Sequence, residues 1–356
     1  MARFHSLSVS DIRRETADCV SVALEVPADL RKSFSFAPGQ YLTLKTRIGG
    51  EEVRRSYSLC TAPGAGEWRV AVKEVPGGLF STFVNRKLSV GDLLEVMPPD
   101  GRFLHRVATD RAHYVGIAAG SGITPVMSIL SSVLDNEPES RFTLFYGNRN
   151  SDSIIFHERL EALKNQYLGR LSLHHILSRE HNGSDLFSGR IDAERLRVFF
   201  TRLVPAAGVN AYYLCGPAPM IEACREVLNE LDVAADRIKF ELFGSPADQE
   251  RNTRAAVSLN TEAPPVAHAT VTLDAFTAKI PVAEGESILD AARRAGMDAP
   301  FACKGGVCST CRARLVAGEA PMEVNFALEA DELAAGYLLT CQAHPTTEEV
   351  TVDFDA

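Results

Sequence analysis

The 356-residue sequence predicts a multidomain protein: an antiparallel β-barrel, then a parallel-sheet α/β domain, then a small α+β unit. Three observations carry this. Residues 1–105 hold short, partly alternating apolar runs separated by turn dipeptides. Residues 111–243 alternate apolar strand-like runs with helical stretches. The C-terminal part holds Cys-Lys-Gly-Gly-Val-Cys-Ser-Thr-Cys at 303–311, with a fourth cysteine at Cys341.

The barrel strands are expected at 20–26, 41–45, 56–59, 68–73 and 93–97. Pro38-Gly39, Gly49-Gly50, Pro63-Gly64 and Gly77-Gly78 punctuate them. Regular short strands suggest antiparallel closure. In the second segment, strands are expected at 114–118, 142–146, 171–177 and 211–215, with helices near 125–135, 155–166, 192–203 and 218–231. Residues 244–268 mix Ser, Asn, Pro and charge without periodicity and read as a linker. Beyond it come a hairpin over 270–282, a helix capped by Ser287 and closed by Gly296, a strand over 312–316 and a last strand over 350–354. The domains are therefore placed at 1–108, 109–243 and 269–356, with 244–268 between the last two.

The cysteine spacing C-x4-C-x2-C…C is that of a plant-type [2Fe–2S] cluster held by four thiolates. Cys303, Cys308 and Cys311 reach it from one loop, and Cys341 completes the set. Gly305 and Gly306 let the backbone bend tightly. Backbone N–H groups of the loop can point at the sulfurs. A structural zinc site or a redox C-x-x-C pair competes with this reading. Zinc sites favour two separated C-x2-C knuckles, and this sequence has a single one.

Three further motifs suggest nucleotide chemistry. Arg54-Arg55-Ser56-Tyr57-Ser58 lies on a barrel strand. Arg55 can clamp a pyrophosphate, Tyr57 can pack on a flavin ring and Ser58 can bond its edge; an exposed basic strand is the plain alternative. Val72-Lys73 and Gly77-Gly78-Leu79-Phe80-Ser81 follow one strand later, where Ser81 opens a helix whose N-terminus suits a phosphate. Gly120-Ser121-Gly122-Ile123-Thr124-Pro125 follows an apolar strand. Gly120 and Gly122 turn the chain, and Thr124 is expected as N-cap with Pro125 at the first helical position. Val126, Ile129, Leu130, Val133 and Leu134 then share one helical face. Cys215-Gly216-Pro217 ends another strand, at the sheet edge where ligands bind. Glu241 and Phe243 stand where the chain leaves the sheet, and core packing is the plain reading of Phe243.

Arg149 and Arg179 each follow a strand of this segment and suit a ribose 2′-phosphate, favouring NADPH; Glu180 argues for NADH. The net charge is −9, and residues 269–356 carry 14 acidic against 6 basic side chains. That asymmetry fits solubility, or steering toward a basic protein partner. No basic stripe points to nucleic acid. No apolar run is long enough to span a membrane, and the first residues lack a signal-peptide core. The other four cysteines read as buried thiols, which fits the cytoplasm. No Ser/His/Asp triad is visible. His174-His175 lies in a strand-like run, so its rings should point to opposite faces, a poor metal site.

Taken in order, Arg-x-Tyr-Ser, Gly-Gly-x-x-Ser, Gly-Ser-Gly-Ile-Thr-Pro, Cys-Gly-Pro and the cysteine array resemble the ferredoxin–NADP reductase superfamily with a fused C-terminal plant-type ferredoxin of β-grasp fold. Within it, Phe-Ala-Pro-Gly-Gln-Tyr-Leu-Thr-Leu-Lys and Tyr-Gly-Asn-Arg are most similar to reductase subunits of phenylacetyl-CoA epoxidase complexes, and reductases of ketosteroid hydroxylases look similar. The resemblance implies FAD at Arg55, Tyr57, Ser58, Gly78 and Ser81, to which their places on the barrel strands add Ser56, Val72 and Lys73. It implies NADPH or NADH at Gly120, Gly122, Thr124, Cys215 and Gly216, joined by Arg149 and Arg179 from their places after strands, with Ser58, Cys215 and Phe243 beside the reacting rings. It further implies electron flow from the dinucleotide through FAD and the cluster to the oxygenase component of a phenylacetate-catabolising complex, the linker letting the ferredoxin unit swing. A stand-alone diaphorase and a non-catalytic binding protein are the rival readings.

Overall fold

The computed structural model describes residues 4–108, 110–181, 183–243 and 265–356. The predicted linker lies outside the described residues from 244 to 264. The chain forms two compact units, one ending at Phe243 and one holding the cysteine-rich end.

The first unit begins with six antiparallel strands: β1 (His5–Thr16), β2 (Cys19–Glu25), β3 (Tyr41–Ile48), β4 (Glu51–Ser58), β5 (Trp68–Lys73) and β6 (Leu93–Val96). Their order is β4-β3-β6-β1-β2-β5. A bridge between Leu59 and Val70 brings the two edges together. Helix α1 (Leu79–Arg86) closes one end, with Phe80 and Val84 in the barrel core. Strand β1 was not among the predicted runs. Its pairing with β2 is irregular between Val9 and Asp11 and again between Arg14 and Thr16, which resets the alternation and hides its period.

Five parallel strands follow: β7 (His113–Ala119), β8 (Arg141–Asn148), β9 (Leu171–Leu177), β10 (Ala211–Gly216) and β11 (Ile238–Leu242). Helices α2 (Ile123–Asn136), α3 (His157–Gln166), α4 (Ala193–Val198) and α5 (Ala218–Glu230) connect them, and a π-turn over Phe199–Leu203 extends α4. The order β11-β10-β7-β8-β9 reverses direction between β7 and β10. That switch point opens a crevice at the carboxyl ends of the strands.

Helix α2 departs from the expected one-sided pattern. Every residue from Ile123 to Leu134 is buried, because the sheet covers one side and the barrel the other. Ser128 donates from its hydroxyl to the Thr61 carbonyl of the barrel at 2.6 Å. Thr124 is not the N-cap. Gly122 takes that position, and the Thr124 hydroxyl donates instead to the Ser121 carbonyl at 3.0 Å. Pro125 still stands in the first turn, where its missing N–H leaves no bond unmade.

A buried polar cluster joins the chain leaving the barrel to the sheet. His105 contacts the Tyr213 hydroxyl through Nδ1 at 2.7 Å and Glu137 Oε1 through Nε2 at 2.6 Å. Tyr114 donates to Glu137 Oε2 at 2.9 Å. The side chains of His105 and Glu137 are each 1% exposed.

The second unit is a mixed sheet of β12 (Ala267–Leu273), β13 (Phe276–Val282), β14 (Arg312–Ala317), β15 (Tyr337–Leu339) and β16 (Glu349–Asp353), in the order β13-β12-β16-β14-β15. The pair β12/β16 is parallel. Helix α6 (Ile288–Arg294) lays Ile288, Leu289, Ala291 and Ala292 into its core, and short α7 (Ala330–Ala334) precedes β15. Ser287 caps α6 by accepting from the Asp290 N–H at 3.2 Å, and Gly296 ends it at φ +84°.

Glu137→Ala removes the acceptor shared by His105 and Tyr114. It should cost the first unit about 3 kcal/mol, read as a lower melting midpoint with flavin fluorescence released at the same temperature.

Candidate functional site

The crevice collects residues from both halves of the first unit. β4 ends at Ser58, whose hydroxyl donates to Glu241 Oε2 of β11 at 3.2 Å. Glu241 stands opposite Cys215 in the β10/β11 register. Its carboxyl is half-buried, and removal from water pushes its pKa up to about 8. Burial, and then the nearby Glu241, hold the Cys215 thiol well above its ordinary range. At neutral pH the Cys215 thiol is uncharged and the Glu241 carboxyl mostly protonated. Phe243 follows two residues after Glu241 and is 37% exposed.

Gly122 presses on this group from the loop after β7. A Cβ there would lie 2.1 Å from the Cys215 carbonyl oxygen, so the helix α2 entry and the β10 exit meet backbone to backbone. Gly216 is confined by Met220 and Ala119. Gly120 takes φ +54°, and its nearest neighbour in the direction of a side chain is Lys73 Nζ at 4.0 Å. The Tyr146 hydroxyl donates to the Gly120 carbonyl at 2.9 Å and so orients the loop.

On the barrel, Arg55 and Tyr57 share a strand face. Arg55 donates to the Arg54 carbonyl at 2.7 Å. The Tyr57 ring lies 5.7 Å from that of Phe80, and burial raises its phenol pKa. The Ser56 hydroxyl pairs with that of Thr43 at 3.1 Å. Ser81 Oγ accepts from the Val75 N–H at 3.1 Å and donates to the Gly78 carbonyl at 3.3 Å, which fixes the turn before α1. Gly78 is the N-cap of α1, so the helix begins two residues earlier than expected. The Val72 side chain lies in the barrel core, and its carbonyl accepts from Asn85 at 2.9 Å.

The loop after β8 is tied to the barrel. Arg149 donates to Asp18 at 3.0 Å, and Lys73 lies 3.7 Å from the same carboxylate. Burial pushes the Asp18 pKa up, but Thr16, Lys73 and Arg149 outweigh it and hold the group below the usual range. Arg179 is exposed, and its N–H donates to the Arg149 carbonyl at 2.7 Å. Glu180 accepts from the Ser151 N–H at 2.8 Å and hydroxyl at 2.9 Å, so its carboxylate is spent on the loop.

In the second unit the four cysteines converge as two pairs, Cys303 with Cys308 and Cys311 with Cys341. Within the first pair, hydrogen bonding from Cys308 lowers the Cys303 pKa to about 6, with further help from the Gly305, Val307 and Cys308 N–H groups. Gly305 N–H reaches Cys303 Sγ at 3.2 Å. Cys341 is lowered chiefly by Cys311, and the Gln342 amide adds a bond to its sulfur at 3.4 Å. Of the two loop glycines, Gly306 takes a positive φ of 76°, whereas Gly305 does not; Lys304 and Ser309 take the other left-handed turns. A Cβ on Gly306 would meet Val324 at 3.1 Å.

Sequence reasoning had not paired Ser58 with Glu241, Tyr146 with Gly120 or Asp18 with Arg149. Only the position of Glu241 at the end of the sheet hinted at its role.

Three family models match in chain order: the oxidoreductase FAD-binding domain over residues 6–105, the oxidoreductase NAD-binding domain over 117–226 and the 2Fe-2S iron-sulfur cluster binding domain over 271–346. The chain is 44% identical to one of the subunits of the 1,2-phenylacetyl-CoA epoxidase of Escherichia coli (strain K12), covering 100% of this chain and 99% of that relative. The chain belongs to the ferredoxin–NADP reductase superfamily, in its branch with a C-terminal plant-type ferredoxin. It is also 33% identical to the ferredoxin reductase component of 3-ketosteroid-9-alpha-monooxygenase from Rhodococcus rhodochrous, over 98% of this chain and 96% of that one. Phthalate dioxygenase reductase shares the fold at TM-score 0.59 and 23% identity, over 99% of this chain and 98% of its own. The chain is thus an oxidoreductase of the kind that carries electrons from a nicotinamide dinucleotide through FAD to a [2Fe–2S] cluster, as reductase components of oxygenases do. No helix among the described residues is long and apolar enough to cross a membrane.

Gly122→Ala forces the β10 carbonyl aside. We expect a loss of roughly 1–3 kcal/mol in the first unit and a fall in dinucleotide-dependent flavin reduction by stopped flow. Flavin reduction should also decline on the alkaline side with a midpoint near pH 8, where Glu241 ionises beside Ser58. Glu241→Gln, neutral at every pH, should flatten that limb; a limb that persists unchanged assigns it to another group.

Proposed function

We propose that this chain is the NADPH-oxidising reductase component of a phenylacetyl-CoA epoxidase in the cytoplasm. The observation that carries this reading is the end-to-end 44% identity to the E. coli epoxidase relative. None of the eight cysteines is in a disulfide, and Cys19, Cys60, Cys215 and Cys224 are buried thiols, which supports a reducing compartment. The proposed domains are residues 1–108 for flavin, 109–243 for dinucleotide and 269–356 for the cluster, with 244–268 as linker.

The residues suit the groups assigned to them. The two thiol pairs match a centre in which each of two irons takes two thiolates, and Cys303, Cys308, Cys311 and Cys341 are its proposed ligands. In Arg55, Tyr57, Ser58, Lys73, Gly78 and Ser81 we see the flavin-holding set, with Val72 contributing backbone alone. Gly120, Gly122 and Thr124 would face the dinucleotide pyrophosphate at the mouth of α2. Arg149 and Arg179 would hold the 2′-phosphate, Arg149 by exchanging its Asp18 partner, while Glu180 is turned to Ser151. When bound, FAD converts a hydride's electron pair into the single electrons that the cluster can pass on. The chain's own part is positioning. Gly122 and Gly216 let the entry of α2 pack directly on the end of β10, Cys215 would border the nicotinamide, and Ser58 with Glu241 and Phe243 the flavin side.

Anaerobic reduction followed at flavin and cluster wavelengths tests the assignment. NADPH should bleach both bands, and the reduced protein should support turnover of a phenylacetyl-CoA epoxidase oxygenase component. Arg149→Ala with Arg179→Ala should raise the KM for NADPH about tenfold and that for NADH little. Equal effects would remove the case for NADPH, and turnover only with an unrelated oxygenase would remove the epoxidase.

A further inference from the structure

We propose that His157, Glu161 and His175 form a binding site for one divalent transition-metal ion of the zinc or nickel class. The site lies on the edge of the parallel sheet, outside the residues assigned to FAD, dinucleotide and cluster.

Its geometry follows from two elements. His157 and Glu161 are four residues apart on α3 and so share one helical face. β9 runs along the sheet edge beneath α3 and presents His175 to that face. One ligand atom from each of the three side chains lies within 4.8 Å of the others. His175 Nε2 stands 3.7 Å from Glu161 Oε1, and the rings of His157 and His175 are 5.6 Å apart and perpendicular. Tetrahedral zinc with bonds of about 2.0–2.1 Å needs its ligand atoms roughly 3.3 Å apart. The remaining contraction falls to His157 and Glu161, both exposed and able to change rotamer. His175 is the fixed point, with 17% of its side chain exposed and its ring beside that of Tyr146 at 6.0 Å.

The donor set selects the ion. Two imidazoles and one carboxylate suit zinc, nickel or cobalt, whereas magnesium and calcium prefer oxygen throughout. The exposure of two ligands leaves a further position for water. The neighbouring His174 takes no part. It stacks on Phe145 at 5.0 Å and on Phe187 at 5.3 Å, on the other face of the sheet. The adjacent pair is therefore no metal site, as alternation predicts, but His175 finds its partners on the helix instead. Outside the cysteine loop, this is the one group of three such side chains among the described residues. An ion there would tie the first turns of α3 to an edge strand.

The test is calorimetric titration of Zn²⁺ into the holoenzyme, with FAD and cluster loaded so that the cysteines are occupied. We expect one site that His157→Asn and Glu161→Gln each weaken about tenfold or more, with cluster absorption and NADPH-driven ferricyanide reduction unchanged. Zn²⁺ should also raise the melting midpoint of the wild-type protein by about 2–4 °C and that of His157→Asn by none. Equal zinc affinity in wild type and both variants would overturn the proposal. So would the absence of any binding heat below on the order of 0.1 mM Zn²⁺.

Discussion

The burial of α2 on all sides is the constraint on which the first unit depends. A helix buried around its whole circumference needs two partners. Here one partner is the parallel sheet and the other the barrel, and Cys19, Cys60, Ala71 and Phe103 of the barrel side join Tyr114, Phe142 and Leu144 of the sheet in one core. Separating the halves would expose that surface at about 25 cal/mol per Å². The polar bonds across the same boundary, Ser128 to Thr61 and His105 to Glu137 and Tyr213, then fix its register. Ser58 can meet Glu241 across 183 residues of sequence only because this boundary is fixed.

Much of the fold was readable because its signals are local. The apolar runs of β7 to β10 and the helices between them follow from short stretches whose burial matches their composition. Strand β1 was missed because two irregular pairings break its period and charged residues interrupt it. The far side of α2 was misread for a different reason. Ser128, Ser131 and Ser132 are polar in any one-dimensional pattern, yet all three are buried, and Ser128 bonds to the Thr61 carbonyl of the barrel. Thr124 looked like a cap because its type and place fit one. The two glycines before it let the first turn start earlier, at Gly122.

The site divides along the same line. The cysteine loop is nearly all local, so spacing alone pointed to it, although the left-handed turns fall on Lys304 and Ser309 as well as Gly306. The glycines of the α2 loop could be named from sequence, but the reason Gly122 admits no side chain lies in Cys215, 93 positions away in the chain. Pairings such as Asp18 with Arg149 join elements that no motif connects.

Two kinds of cysteine in this chain show how environment sets chemistry. Cys215 is buried with no N–H group aimed at its sulfur and with a carboxyl nearby, so both influences favour the neutral thiol. Such a thiol is a poor nucleophile and a poor metal ligand, but a compact wall for a crevice. Cys303 is also removed from water, yet three backbone N–H groups and a neighbouring thiol point at it, and these outweigh burial and favour the thiolate. Desolvation acts on both residues; the Cys308 thiol first, and then the loop's amides, make the difference. The loop therefore favours negative sulfur at Cys303, while Cys308 and Cys311 are pushed up by their pair partners and by burial, and Cys215 has no such donors to offset its burial.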